Sequence, residues 1–166
     1  MTVTNQESRF DILLVDDSPA DAKIFQEALL EVSARVRLYW VGTGEEALDF
    51  LTQQGRFRGI GPVKMVVLDL NMPGLDGIET LRRIKMNPSI SRIPAVVFSS
   101  SRAPQEVDRA YATGANAFFS KPLSLENYVQ KAGILVRHWL DYAELPTPVE
   151  ARTASLVESI EDHRAS

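Results

Sequence analysis

The sequence predicts an α/β protein, a doubly wound five-stranded parallel sheet with five helices packed on its faces. Three observations predict it. Short β-rich runs alternate with stretches of helical periodicity. The first, third and fourth runs are near-continuous Val, Ile and Leu, the pattern of strands covered on both faces. A helix start follows each run, where a right-handed crossover would begin.

The first strand spans Asp11–Val15. Ser18 and Pro19 then supply an N-cap and a proline at the first helical position, with Asp21 well placed in the first turn. The second strand spans Arg35–Val41, and Thr43-x-x-Glu46 forms a capping box for a helix with Ala47, Leu48 and Leu51 on one face. From Gln53 to Lys64 three glycines and a proline predict a long loop. The third strand spans Met65–Leu70, and the helix after Gly77 places Ile78, Leu81 and Ile84 three apart. The fourth strand is Ala95–Ser99; Pro104 opens the next helix and Gly114 stops it. The fifth strand is Ala117–Ser120, and Ser124 caps a helix that runs through Tyr128, Ile134, Leu135 and Leu140.

Pro146 and Pro148 mark a boundary. One domain is expected over residues 8–142 and a tail over 143–166. Thr147, Pro148 and Glu150 form a helix start, and Val149, Thr153, Leu156 and Ile160 share a face. The tail is therefore expected to be a short amphipathic helix, marginal by itself in water.

Composition narrows the chemistry. The chain has 166 residues, 45% hydrophobic and 24% charged, which suits one globular domain and excludes wholesale disorder. A net charge of −4 argues against nucleic-acid binding through phosphates. The absence of cysteine excludes disulfides, thiolate zinc sites and a cysteine nucleophile. His138 and His163 stand 25 positions apart, a poor metal pair. The strongest apolar runs are four residues long, against the roughly 20 of a membrane span. The opening MTVTNQESRF lacks a signal-peptide core, so a soluble, cytoplasmic protein away from membranes is expected.

Ligands of doubly wound sheets bind at the carboxyl ends of the strands. The first strand ends in Asp16 and Asp17, the third in Asp69 followed by Asn71, the fourth in Ser99 and Ser100, and the fifth in Lys121 and Pro122. Carboxylates gathered in one cleft repel one another, and a bound cation relieves that. An all-oxygen ligand set suits Mg²⁺ or Mn²⁺ and disfavours zinc. Lys121 and a hydroxyl opposite such a metal would receive a phosphoryl group, and an aspartate can itself be the nucleophile. Gly42-Thr43-Gly44 lacks the third glycine of a dinucleotide loop, and the two carboxylates after the first strand would repel a pyrophosphate.

The motifs LLVDDSPAD, VVLDLNMPGLDG, VVFSSS and FFSKPLS stand in register, with 30 positions from Asp69 to Ser99 and 52 from Asp69 to Lys121. Over residues 9–142 the chain resembles the receiver domains of two-component response regulators, the group that includes the chemotaxis regulator. The resemblance implies a flavodoxin-like strand order 2-1-3-4-5. It implies Asp69 as phospho-acceptor, Asp17 as a direct Mg²⁺ ligand, Asp16 acting through a metal-bound water, and the backbone carbonyl of Asn71 as a further ligand. Lys121 would pair with the phosphoryl group and Ser99 would hydrogen-bond it in the active state. A cis peptide before Pro122 would aim Lys121, and Gly74 and Gly77 would shape the loop after Asp69. Two positions depart from the commonest pattern. The switch aromatic is Phe118, a ring without a hydroxyl, and Ser99 stands where Thr is commoner.

The resemblance implies a phosphorelay signal-transduction switch, a phosphoprotein that accepts phosphate from a sensor histidine kinase or phosphotransfer protein and is not a turnover enzyme. Two alternatives stand beside it. One is a Mg²⁺-dependent aspartyl-phosphate phosphatase, although Asn71 occupies the position where those enzymes carry a second acid. The other is an interaction module whose phosphorylation is vestigial. After residue 142 only 24 residues remain, so a stand-alone receiver is expected, acting by binding a protein or passing phosphate on. The long second loop and the VRHWL ending resemble single-domain regulators paired with phytochrome-type histidine kinases. A homodimer is expected through the face of the fourth helix, fifth strand and fifth helix, where Val136, Trp139, Leu140 and Tyr142 offer apolar surface.

Overall fold

The computed structural model describes residues 9–147. In chain order the elements are β1 (Phe10–Val15), α1 (Pro19–Val32), β2 (Val36–Val41), α2 (Gly44–Leu51), β3 (Met65–Leu68), α3 (Gly77–Met86), β4 (Ala95–Ser99), α4 (Pro104–Thr113), β5 (Ala117–Ser120) and α5 (Leu125–Arg137). A single 3-10 turn, Gly55–Phe57, lies in the loop before β3. Every strand pairing is parallel and the order is β2-β1-β3-β4-β5, as the resemblance implies.

The continuous apolar character of the central strands has a direct cause. Alternate residues of β1 enter different cores. Phe10, Ile12 and Leu14 pack with Phe25 and Leu29 of α1 and Leu135 and Val136 of α5. Leu13 and Val15 pack with Phe50 of α2, Leu81 of α3 and Ala110 of α4. Helices thus cover both faces, so both sets of side chains are mainly apolar, and the buried exception in β1, Asp11, is paired with Arg37 of β2.

Side-chain caps set where α1, α2, α3 and α5 start, and Pro104 opens α4. Ser18 Oγ accepts from Asp21 N–H at 3.2 Å, and Thr43 Oγ1 accepts from Glu46 N–H at 3.1 Å. Glu46 in turn accepts from Gly42 N–H at 3.1 Å. Asp76 caps α3 through Glu79 N–H at 2.8 Å, and Ser124 caps α5 through Asn127 N–H at 3.3 Å. Gly114 ends α4 with φ 113°, a left-handed cap.

Some boundaries differ from expectation. β3 ends at Leu68, not Leu70, because the Leu70 carbonyl turns away to accept from Gly77 N–H at the start of α3, at 3.1 Å. β2 begins at Val36, after Val36 N–H closes a turn onto Ser33 O. α5 stops at Arg137 and continues as a π-helical turn, His138–Tyr142, closed by Ala143 N–H on His138 O at 3.0 Å. That turn swings Trp139 and Leu140 onto the α1–α5 core, where Val136 is wholly buried. Of the apolar group expected to face a second subunit, only Tyr142 stands out, at 81% exposure.

Past the π turn, Leu145 still packs on the α1–α5 core. Pro146 and Thr147 border a hollow of about 80 Å³ that they share with Phe50, Val63, Ile90 and Pro94. Val63 and Pro94 lead into β3 and β4, so this hollow lies at the strand-start end of the sheet. The helix expected over the tail lies outside the described residues from Pro148 onward.

Candidate functional site

Parallel strands deliver their last residues to one edge. Asp16 and Asp17 follow β1, Asp69 and Asn71 follow β3, Ser99 closes β4 and Lys121 follows β5. One oxygen from each of Asp16, Asp17 and Asp69 lies within 4.8 Å of the others. Asp16 and Asp69 are buried, whereas Asp17 is exposed.

Lys121 closes the cluster. Its Nζ donates to Asp16 Oδ2 at 2.6 Å, Asp21 Oδ2 at 2.7 Å and Asp69 Oδ2 at 3.1 Å. An ammonium has three protons, and all three are taken. Lys121 N–H donates to Ser99 O at 2.7 Å, which carries the sheet ladder one residue past β5. The Lys121–Pro122 bond is trans, since no described peptide is cis. The expected cis bond is therefore corrected: the extended backbone at the end of β5 already directs Lys121 across the strand ends.

The other oxygens are held as well. Asp16 Oδ1 accepts from Ser18 N–H at 2.9 Å, and Asp69 Oδ1 accepts from Asn71 N–H at 3.1 Å. The Asn71 amide donates to Ser99 Oγ at 3.2 Å, and Ser101 N–H donates to the same oxygen at 3.3 Å. The indole N–H of Trp40, on β2, donates to the Asp16 carbonyl at 2.8 Å. Phe118 is half-buried against the α2–α3–α4 core, and its backbone N–H, on the outer edge of β5, donates to the Tyr111 hydroxyl of α4 at 3.2 Å.

Burial pushes the Asp16 carboxyl above the usual carboxylate range, although the Lys121 hydrogen bond pulls it down. Burial alone would lower the Lys121 ammonium. The hydrogen bonds to Asp16 and Asp21, with the charges of Asp16 and Asp69, outweigh it and hold Lys121 above the ordinary value of 10.5. Three carboxylates bond this one ammonium and Asp17 stands beside them unpaired, so negative charge remains in excess. Hard oxygen donors with surplus negative charge and one exposed member fit a divalent cation of the Mg²⁺ or Mn²⁺ kind.

The loop after Asp69 is tightly built. Gly74 has φ 76°, the left-handed region in which glycine is unstrained. Gly77 presses α3 against the backbone of Asp69 and Leu70 so closely that an added Cβ would overlap the Asp69 carbonyl oxygen.

The structure brings Asp16, Asp17, Asp69, Asn71, Ser99 and Lys121 to one edge, as the strand ends predict. Asp21, the Asn71 side chain and Trp40 also join it. Asp21 was legible only as a first-turn acid. It is the third residue of α1, and helical Cα–Cβ bonds tilt toward the N-terminus, which aims it back at the strand ends.

A parallel sheet that gathers an acid triad and a lysine at its carboxyl edge defines a class of protein, the phospho-accepting switch. The chain belongs to the response regulator receiver domain family, whose model matches residues 12–132. Such domains are phosphorelay switches that partner sensor histidine kinases. Among relatives, the chain is 34% identical to the probable methanogenesis regulatory protein FilR2 of Methanothrix harundinacea, over 88% of this chain and 94% of that one. It is 35% identical to the response regulator Rcp1 of Synechocystis, over 81% and 92%. Rcp1 has been solved in a Mn²⁺-bound form, which superposes with a TM-score of 0.78 over 82% of this chain and 99% of that one. The phosphorylated cyanobacterial phytochrome response regulator RcpA superposes with a TM-score of 0.81 at 33% identity, over 84% and 100%. No described helix is long and apolar enough to cross a membrane.

Proposed function

We propose that Asp69 is the phospho-acceptor and that phosphate reaches it from a phosphohistidine of a sensor histidine kinase or phosphotransfer protein. The observation that carries this reading is the Lys121 ammonium 3.1 Å from Asp69 Oδ2, beside a carboxylate cluster with negative charge in excess. An Asp69 carboxylate oxygen bonds to phosphorus as the phosphorus–nitrogen bond breaks, and the departing imidazole nitrogen keeps the electron pair and takes a proton. Water later cleaves the acyl phosphate, returning the carboxylate and inorganic phosphate. Lys121 follows the new charge on the phosphoryl oxygens. Asp16, Asp17, Asp69 and the backbone carbonyl of Asn71 would hold Mg²⁺ or Mn²⁺, which would neutralise phosphoryl oxygens.

Ser99 and Phe118 form the switch. The phosphoryl group adds acceptors beside Ser99, drawing its hydroxyl from the Asn71 amide and opening room for the Phe118 ring. Phe118 enters without a buried hydroxyl that would need a partner. The likeness to RcpA supports a phytochrome-type kinase as donor. A second copy of the chain would dock on the α4–β5–α5 face, where Tyr111 and Leu125 are more than half exposed. The net charge of −4 disfavours nucleic acid as a partner.

Incubation with acetyl phosphate and Mg²⁺ should give one base-labile acyl phosphate, absent in Asp69→Asn. Undiminished labelling of Asp69→Asn would overturn the assignment.

A further inference from the structure

We infer that Trp40 is a positioning residue for the acid cluster: its indole N–H fixes the peptide that joins Asp16 to Asp17 and so directs the Asp17 carboxylate. The inference rests on the proposal that this cluster holds a divalent cation.

The chain is pinned to β2 on both sides of Asp16, the Asp16–Asp17 peptide through its carbonyl alone. Asp16 N–H donates to Val41 O at 3.1 Å, and Asp16 O accepts from Trp40 Nε1 at 2.8 Å. The side chain of Asp16 is fixed separately, by Ser18 N–H and Lys121. Asp17 has no comparable restraint: it is exposed, and its carboxylate has no hydrogen bond or ion pair among the described residues. Only the backbone sets where that carboxylate leaves the chain. A peptide plane held by one donor at its carbonyl is free to rotate when the donor is lost, and Asp17 would swing with it.

The ring is not there to fill a core. Trp40 is 46% exposed, whereas the other β2 aromatic, Tyr39, packs at a tilt against Phe50, with ring centroids 5.1 Å apart. An exposed aromatic retained for its N–H differs from a packing residue in a testable way. Loss of the N–H should disturb the metal site and leave the fold unmoved.

The variants are Trp40→Phe, which keeps a ring without a donor, and Trp40→His, whose Nε2 lies as many bonds from Cα as the indole nitrogen. Mn²⁺ affinity is measured by calorimetry, and the melting temperature of the metal-free protein is followed alongside. Groups that orient ligands typically change metal affinity 10–100-fold, and at this open site Trp40→Phe should weaken Mn²⁺ binding by about 10-fold. The melting temperature should stay near that of the parent, and Trp40→His should recover much of the affinity. If the parent binds Mn²⁺ and Trp40→Phe binds it equally well, Trp40 is not a positioning residue. If Trp40→Phe and Trp40→His are equally weak, ring size and not the N–H matters, and the inference also falls. A parent protein that binds no Mn²⁺ would instead remove the metal-site reading, and this inference with it.

Discussion

At Lys121 one buried ammonium answers three carboxylates, so its removal is felt beyond the site. Breaking a buried ion pair by deleting one partner costs about 3–5 kcal/mol, since the remaining charge stays buried. Lys121→Met should therefore lose roughly 3 kcal/mol at neutral pH, the low end because Asp21 is partly solvated. Urea melts with and without saturating Mg²⁺ test this, and Mg²⁺ should restore part of the loss by supplying positive charge. A loss below about 1 kcal/mol, typical of surface pairs, would mean that the ammonium is solvated. Lys121 itself was legible because it stands before Pro122 at a strand end, opposite aspartates on two other strands. Asp21 was not, since its contact depends on helical pitch over one turn. Trp40 was not either, because an aromatic in a β-run looks like packing until its hydrogen bond is seen.

Among the elements, α3 is held closely against backbone at its start. Its first residue, Gly77, lies against the Asp69 carbonyl, with no room for a methyl group. Gly to Ala in a helix interior gains up to about 1 kcal/mol. Overpacking costs about 1–3 kcal/mol, and here the obstructing atoms are backbone, which yields less readily than a side chain. Gly77→Ala should thus be destabilising by about 1–2 kcal/mol in a urea melt, and it should slow labelling by acetyl phosphate because Asp69 itself must move. Stabilisation with unchanged labelling would refute the close contact. The helix starts were legible because capping is local: Ser18, Thr43 and Ser124 each bond to a residue three positions on. The ends of β3 and α5 were less so. Leu70 leaves the sheet for a bond with Gly77, seven residues away, and no local signal announces that.

For the molecule as a whole, two apolar layers share one sheet, and α5 closes one of them together with α1. Burial holds the Tyr128 phenol well above its ordinary value of 10.0. Because the folded protein binds that proton more tightly than the unfolded chain, the associated stability is complete below pH 10.0 and is lost as pH rises through the folded value. Urea melts should show stability falling above pH 10.0, and Tyr128→Phe should flatten that fall. At neutral pH the same variant should change stability by less than about 1 kcal/mol, since the hydroxyl lies 3.5 Å from its acceptor, Asp21 O. An equally steep alkaline fall in the variant would place the titration elsewhere. The parallel sheet and its two covered faces were legible from the alternation of strands and helices, whereas the strand order came from the resemblance to receiver domains. The apolar end of α5 was not, because sequence marks a face as apolar without saying whether its own chain or another covers it.

Pro146 and Thr147, described above beside the starts of β3 and β4, sit at the pole opposite the acids. The chain contains no cysteine, so Thr147→Cys would create a single attachment point for a thiol-reactive anchor. A sensor chip derivatised there would hold every molecule in one orientation, with Asp69 turned toward the flow and the full strand length between the anchor and the chemistry. Phosphodonors and partner proteins could then be passed over one immobilised layer without the tether occluding the face they meet.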